Sequence, residues 1–108
     1  MNMKNLIVEI AQFKLASGVT DEEFIKEAEF VQKNFLEKQR GYIDRELLKA
    51  KDGQWIDILH WDSMEEAQRA AEVMMKEPTT QGFMQKNRSF KRQDVALGVD
   101  EKILSFIN

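Results

Sequence analysis

Hydrophobic residues along this chain change their period in a definite order. From Leu6 to Leu15 they occupy both parities, with Leu6, Val8 and Ile10 on even positions and Ile7, Ala11, Phe13 and Leu15 on odd ones. Successive side chains of a strand point to opposite faces, so this pattern predicts a strand that is apolar on both. Lys4 and Lys14 bracket it, and Ser17-Gly18 closes it with turn residues. The period then lengthens, because Phe24, Ala28, Val31 and Phe35 recur at helical spacing. Thr20 is the predicted N-cap of that helix, Glu23 the reciprocal capping-box residue, and Val19 and Phe24 a hydrophobic staple. Lys38 and Arg40 are placed in its last turn and Gly41 at its stop.

Alternation returns at Tyr42–Lys49, where Ile43 and Leu47 are assigned to one face and Tyr42 and Leu48 to the other. Asp52-Gly53 signals a hairpin turn, and Gln54–Trp61 comes back as a third strand. In it Trp55, Asp57, Leu59 and Trp61 share one face, and Ile56, Ile58 and His60 the other. Asp62-Ser63 ends the strand, and Ser63 with Glu66 forms a second capping box. A helix over Met64–Lys76 follows, with Met64, Ala67, Ala71 and Met74 on one side, and Pro78 ends it. Phe83, Met84 and Phe90 suggest a short helix or turn within Thr79–Arg92, weakened by Gly82. Asp94–Asp100 reads as a loop and Glu101–Ile107 as the last strand, with a strand near Val95–Val99 as the competing placement.

The order strand, helix, strand, strand, helix, strand is the split βαβ arrangement. It predicts an α+β, ferredoxin-like fold with a four-stranded antiparallel sheet in a single domain over residues 1–108. Helices cover one face of such a sheet. Large apolar groups on both faces of the first and third strands therefore predict a second copy packed sheet against sheet. That homodimer interface is expected to reach about 1,600 Å² or more.

Composition narrows the function classes. The chain has 108 residues, is 43% hydrophobic and 32% charged, and carries a net charge of −3, which suits one globular domain and disfavours a nucleic-acid footprint. It has no cysteine, so thiolate metal sites and cysteine nucleophiles are excluded, and a reducing cytoplasm is the expected location. Glu9 and Gln12 interrupt the first apolar run, which argues against a signal peptide, and no run approaches the ~20 residues that span a bilayer. No phosphate loop, dinucleotide fingerprint or nucleophile elbow is present.

His60-Trp61-Asp62-Ser63 followed by Glu65-Glu66-Ala67, with the Gly41-Tyr42 step that opens the second strand, resembles the antibiotic-biosynthesis monooxygenase-like family of dimeric α+β barrels. The resemblance implies a homodimer whose two sheets form a barrel, with a pocket between each sheet and its helices. It also implies oxygenation of small aromatic molecules without metal or prosthetic group in some members, and haem degradation in others. Of the residues linked to the cofactor-free oxygenases, the tryptophan maps onto Trp61, and Asp57 stands where those enzymes have asparagine. Their tyrosine and arginine have no counterpart, since Ala67 and Gln81 lie near those positions. The haem-degrading branch needs an axial histidine on the second helix, and no histidine follows His60.

The candidate chemistry sits on few side chains. Trp61 is placed to stack on a planar ligand or to close the strand-to-helix corner as core. Met74 and Phe83 are the other candidate substrate-binding residues, since thioethers make a wall that adapts to a ligand as readily as to an ordinary core. An imidazole has an unperturbed pKa near neutrality, so His60 is a candidate general base, or else a hydrogen-bonded histidine at the dimer contact. Asp57 is a candidate proton acceptor or substrate contact, or else the salt-bridge partner of Arg45. A metal held by His60, Asp62 and Glu65 or Glu66 has the right ligand types at an unfamiliar spacing, and those acids already suit a helix start. The basic cluster Lys86–Arg92 is expected on a solvated helix face. The leading reading is a cofactor-independent monooxygenase acting on a small aromatic molecule. A non-catalytic ligand-binding or stress-related dimer is the alternative.

Overall fold

The computed structural model describes residues 4–99 of the chain, with side chains over residues 6–87. Its centre is strand β3 (Trp55–Trp61), where buried and half-buried positions alternate without a break. Strand β1 (Lys4–Leu15) pairs antiparallel with β3, and Ile7, Glu9, Ala11 and Phe13 stand opposite Trp61, Leu59, Asp57 and Trp55. Directly opposed residues share a face. All eight of these side chains are buried, so this surface is sealed along the β1–β3 pair. Strand β2 (Tyr42–Lys49) flanks β3 on its other side, and β4 (Asn87–Val99) flanks β1, which gives the order β2-β3-β1-β4.

Three helices close over the sealed face. Helix α1 (Asp21–Asn34) starts where its sequence signals lie, with Thr20 Oγ1 accepting the Glu23 amide at 3.1 Å. It contributes Phe24, Ala28 and Val31 to the core. It ends six residues before Arg40, not at it. Phe35 leaves helical geometry at φ −129°, and Leu36–Lys38 makes one 3₁₀ turn. The break has a packing reason. Adjacent helical side chains diverge by about 100°, yet Phe35 and Leu36 are both buried here. Helix α2 (Met64–Lys76) is capped by Ser63 Oγ on the Glu66 amide at 3.2 Å. Pro78 ends α2 and also opens α3 (Pro78–Gln85), because a missing N–H costs nothing at a first helical position. The buried Thr80 hydroxyl reaches back to the Met74 carbonyl at 2.5 Å and ties the two helices together. Phe13, Phe24, Trp55 and Phe83 meet beneath α1 and α3, with ring centroids from 4.9 to 6.2 Å apart.

Two sequence expectations are corrected here. A register shift between Tyr42 and Asp44 places Tyr42 opposite Trp61 and Asp44 opposite His60. Tyr42 and Leu47 therefore both pack against the core, while Ile43 is exposed. One extra residue in a strand reverses the parity of everything before it. In the C-terminal region, the loop expected over 94–100 and the helix face expected for Lys86–Arg92 give way to β4, which starts at Asn87. Its residues Asn87–Asp94 are too polar to show alternation, and an edge strand tolerates such polarity. The competing placement near Val95–Val99 falls inside β4. The strand expected at 101–107 lies outside the described residues.

Among the described residues, no helix lies on the opposite face of the sheet. Three rows cross it in register: Val8–His60–Asp44, Ile10–Ile58–Glu46 and Gln12–Ile56–Leu48. Among the described residues no helix is long and apolar enough to cross a membrane.

Gly41 holds the junction between α1 and β2. Its φ is +85°, and a Cβ there would lie 1.7 Å from Glu66 Oε2 and 2.9 Å from Glu66 Cβ. Its carbonyl accepts the Asp62 amide at 2.8 Å, which fastens the end of β3. Gly41→Ala is expected to cost about 1–3 kcal/mol from backbone strain and the displaced Glu66. Gly18→Ala, at φ +84° but in open space, is expected to cost less. Urea unfolding of both variants checks the order.

Candidate active site

Three charged side chains among the described residues lie buried, or nearly so, on the sealed face of the sheet. Glu9 is 9% exposed and Asp57 4%, and the Arg45–Asp57 pair is almost wholly buried. Their positions follow from the register. Arg45, Leu59 and Glu9 form one row across β2, β3 and β1, and Leu47, Asp57 and Ala11 form the next. Arg45 reaches diagonally to Asp57, with Nε 2.8 Å from Oδ1 and Nη2 2.7 Å from Oδ2. Its Nη1 donates to the Ala28 carbonyl at 3.0 Å, and its guanidinium lies 5.5 Å from the centre of the Phe83 ring. Two planar groups joined at two points hold each other in a fixed orientation. Glu9 pairs with the other end of β3, where Oε1 accepts the Trp61 indole N–H at 2.8 Å. The Tyr42 ring meets Trp61 edge to face at 5.8 Å and completes its seat.

These groups surround a cavity between the sheet and the helices. Its inner chamber is about 20 Å³ and is bounded by Trp61, Asp57, Arg45, Glu9, Leu36 and Phe83 among others. A water needs roughly 10–15 Å³ by the same measure, so the chamber admits one small molecule. An outer vestibule of about 350 Å³ lies between β1, α2 and α3, walled by Met74, Met75, Met84 and Ala71. Glu9, Ala71 and Met74 border both spaces. The arrangement offers an apolar slot for a small organic molecule, ending in fixed charges that water reaches poorly.

Of the candidates read from sequence, Trp61, Asp57, Met74 and Phe83 come together around this cavity. His60 does not. It stands on the helix-free face, with Nδ1 2.5 Å from Asp44 Oδ1. Two residues escaped the sequence reading. Glu9 was legible only as an interruption of an apolar run, although it shares parity with Ile7, Ala11 and Phe13. Arg45 was visible as an ion-pair partner but not as a wall of the cavity. No group of three or more His, Asp or Glu side chains among the described residues is placed to hold a metal ion.

Burial raises the Tyr42 phenol above its ordinary value of 10.0, against the opposing hydrogen bond from Gln32 and the nearby Arg45 charge. A raised value in the fold means the neutral phenol is favoured there. Its contribution to stability is complete below pH 10 and is lost as pH rises through the higher folded value. Tyr42 is the one tyrosine. A spectrophotometric titration at alkaline pH is therefore expected to give a midpoint above 10 in the native protein and near 10 in denaturant. For the ion pair, Asp57→Ala is expected to cost about 3–5 kcal/mol, because it strands a buried guanidinium. The double change Arg45→Met with Asp57→Leu is expected to recover most of that loss in urea unfolding.

No family model and no curated protein matches this chain. Solved structures do. SnoaB, a cofactor-independent oxygenase from Streptomyces nogalater, is 14% identical with a TM-score of 0.69, over 94% of this chain and 99% of that one. A provisionally assigned antibiotic biosynthesis monooxygenase of Bordetella bronchiseptica is 12% identical with a TM-score of 0.72, over 94% and 100%. One of the same provisional assignment from Caulobacter crescentus is 14% identical with a TM-score of 0.66, over 91% and 92%. At these identities the likeness is one of architecture. The chain has the fold of the antibiotic-biosynthesis monooxygenase-like proteins, the family its sequence resembles.

Proposed function

We propose that this protein is a cofactor-independent monooxygenase that accepts a small aromatic molecule in the cavity between sheet and helices. The observation that carries the reading is the shape and chemistry of that cavity: an apolar vestibule narrowing to a chamber of about 20 Å³ among fixed charges. The substrate loses a proton to become a carbanion, which passes one electron to dioxygen. The two radicals combine to a peroxide, and loss of water leaves a ketone. One CH₂ and one O₂ become one C=O and one H₂O, with no outside reductant. Trp61, Met74 and Phe83 hold the ring system. Arg45, oriented by Asp57, supplies positive charge where oxygen becomes anionic. The small inner chamber suits dioxygen.

The same reading has the protein working as a homodimer in a cytoplasmic setting. The helix-free face, with Val8, Ile10, Ile56 and Ile58 in its centre, packs on its copy to form a dimeric barrel. His60 and Asp44 then belong to that contact rather than to the chemistry. A barrel of two sheets leaves each cavity on the outer side, under its own helices.

Oxygen uptake by the purified protein with a panel of hydroxylated anthrones and quinols tests the proposal. Uptake with at least one compound is expected, lowered roughly tenfold or more by Ala71→Trp, which fills the passage between the two chambers. A protein that binds these compounds and consumes no oxygen is a binding module instead.

A further inference from the structure

We propose that Glu9 is the proton acceptor of this cavity, the group that takes the proton from an activated C–H conjugated with a carbonyl in a flat ligand. This deepens the oxygenase reading and rests on it. Three residues border both the inner chamber and the vestibule, and of Glu9, Ala71 and Met74 only Glu9 carries an ionisable group. A base that serves a substrate in the vestibule and a reaction with oxygen in the inner chamber has to stand at that junction. Glu9 also has a fixed aim. An indole N–H donates and never accepts, so the 2.8 Å contact from Trp61 makes Glu9 Oε1 an acceptor and holds the carboxylate in one orientation. The residue that stacks on the substrate is thus the residue that orients the base.

The other candidates are less well placed. Asp57 borders the inner chamber alone. His60 is on the far face of the sheet. Glu72 borders the vestibule from an exposed helical position, where water competes for any proton. Glu9 is buried, and a carboxylate shielded from water and aimed by a neighbour is the arrangement that general-base catalysis uses. In the step itself the substrate C–H bond breaks and its electron pair stays on carbon, delocalised through the aromatic rings onto the carbonyl oxygen. The proton forms an O–H bond with the Glu9 carboxylate. No oxidant takes part, and the proton leaves later with the released water.

The test separates this step from oxygenation by using anthrone as probe under argon in heavy water, with exchange at its methylene followed by NMR. Wild-type protein is expected to accelerate exchange over buffer. Glu9→Gln, which keeps the size and the acceptor for Trp61, is expected to lower that acceleration about a hundredfold or more while anthrone quenching of tryptophan fluorescence stays within about threefold. Glu9→Asp, with a shorter carboxylate, is expected to restore part of it. Wild type that fails to accelerate exchange, or Glu9→Gln that exchanges like wild type, overturns the assignment. Oxygen uptake is read separately in air. Glu9-dependent exchange without oxygen uptake upholds the base and removes the oxygenase reading. Equal uptake by wild type and Glu9→Gln does the reverse.

Discussion

The molecule depends on a mismatch between a sheet that is apolar on two faces and helices that cover only one. Ile7, Ala11, Phe13, Trp55, Leu59 and Trp61 are sealed under α1, α2 and α3. Val8, Ile10, Ile56 and Ile58 remain half-buried in the single chain, with no helix among the described residues above them. Apolar surface in water costs about 25 cal/mol per Å², and the proposed homodimer would cover this patch. The two faces divide the work. The helix-covered face can hold a cavity because something closes it. The bare face can hold none, and its apolar rows suit contact with another copy.

The covered face is also where the chain tolerates expense. A buried ion pair seldom adds net stability over apolar side chains of the same volume. Arg45 and Asp57 nonetheless lie in the interior with two hydrogen bonds between them. Glu9 lies in the row of Arg45, one row from Asp57, and is bonded to Trp61. A sequence selected only for core packing would place aliphatic residues at these three positions. Their presence beside a cavity is coherent with a site that uses fixed charge, since preorganised charge in a dry pocket acts more strongly than in water.

Much of the architecture was written in local signals. Thr20 and Ser63 cap their helices as their neighbours Glu23 and Glu66 imply. The alternation of Trp55 to Trp61 gave β3 and its buried face directly. What escaped was decided by tertiary context. The end of α1 is set by two adjacent residues, Phe35 and Leu36, that both need the core. The parity of Tyr42 is set by a bulge with no sequence marker. Strand β4 hides behind the polar run Asn87–Asp94, since pairing along one edge needs backbone groups rather than apolar ones. The cavity was half legible. Trp61 and Asp57 follow from the parity of β3, and the Arg45 pairing follows from charge. Glu9 joins them only through the β1–β3 register, which no single segment contains.

The central claim, that the bare face of the sheet is closed by a second copy, is tested most directly by sedimentation velocity at micromolar concentration. Wild type is expected to sediment as one species of twice the 12.7 kDa chain mass, and Ile58→Lys, in the middle of the bare face, as a species near that mass. A compact wild-type species of 12.7 kDa would contradict the account.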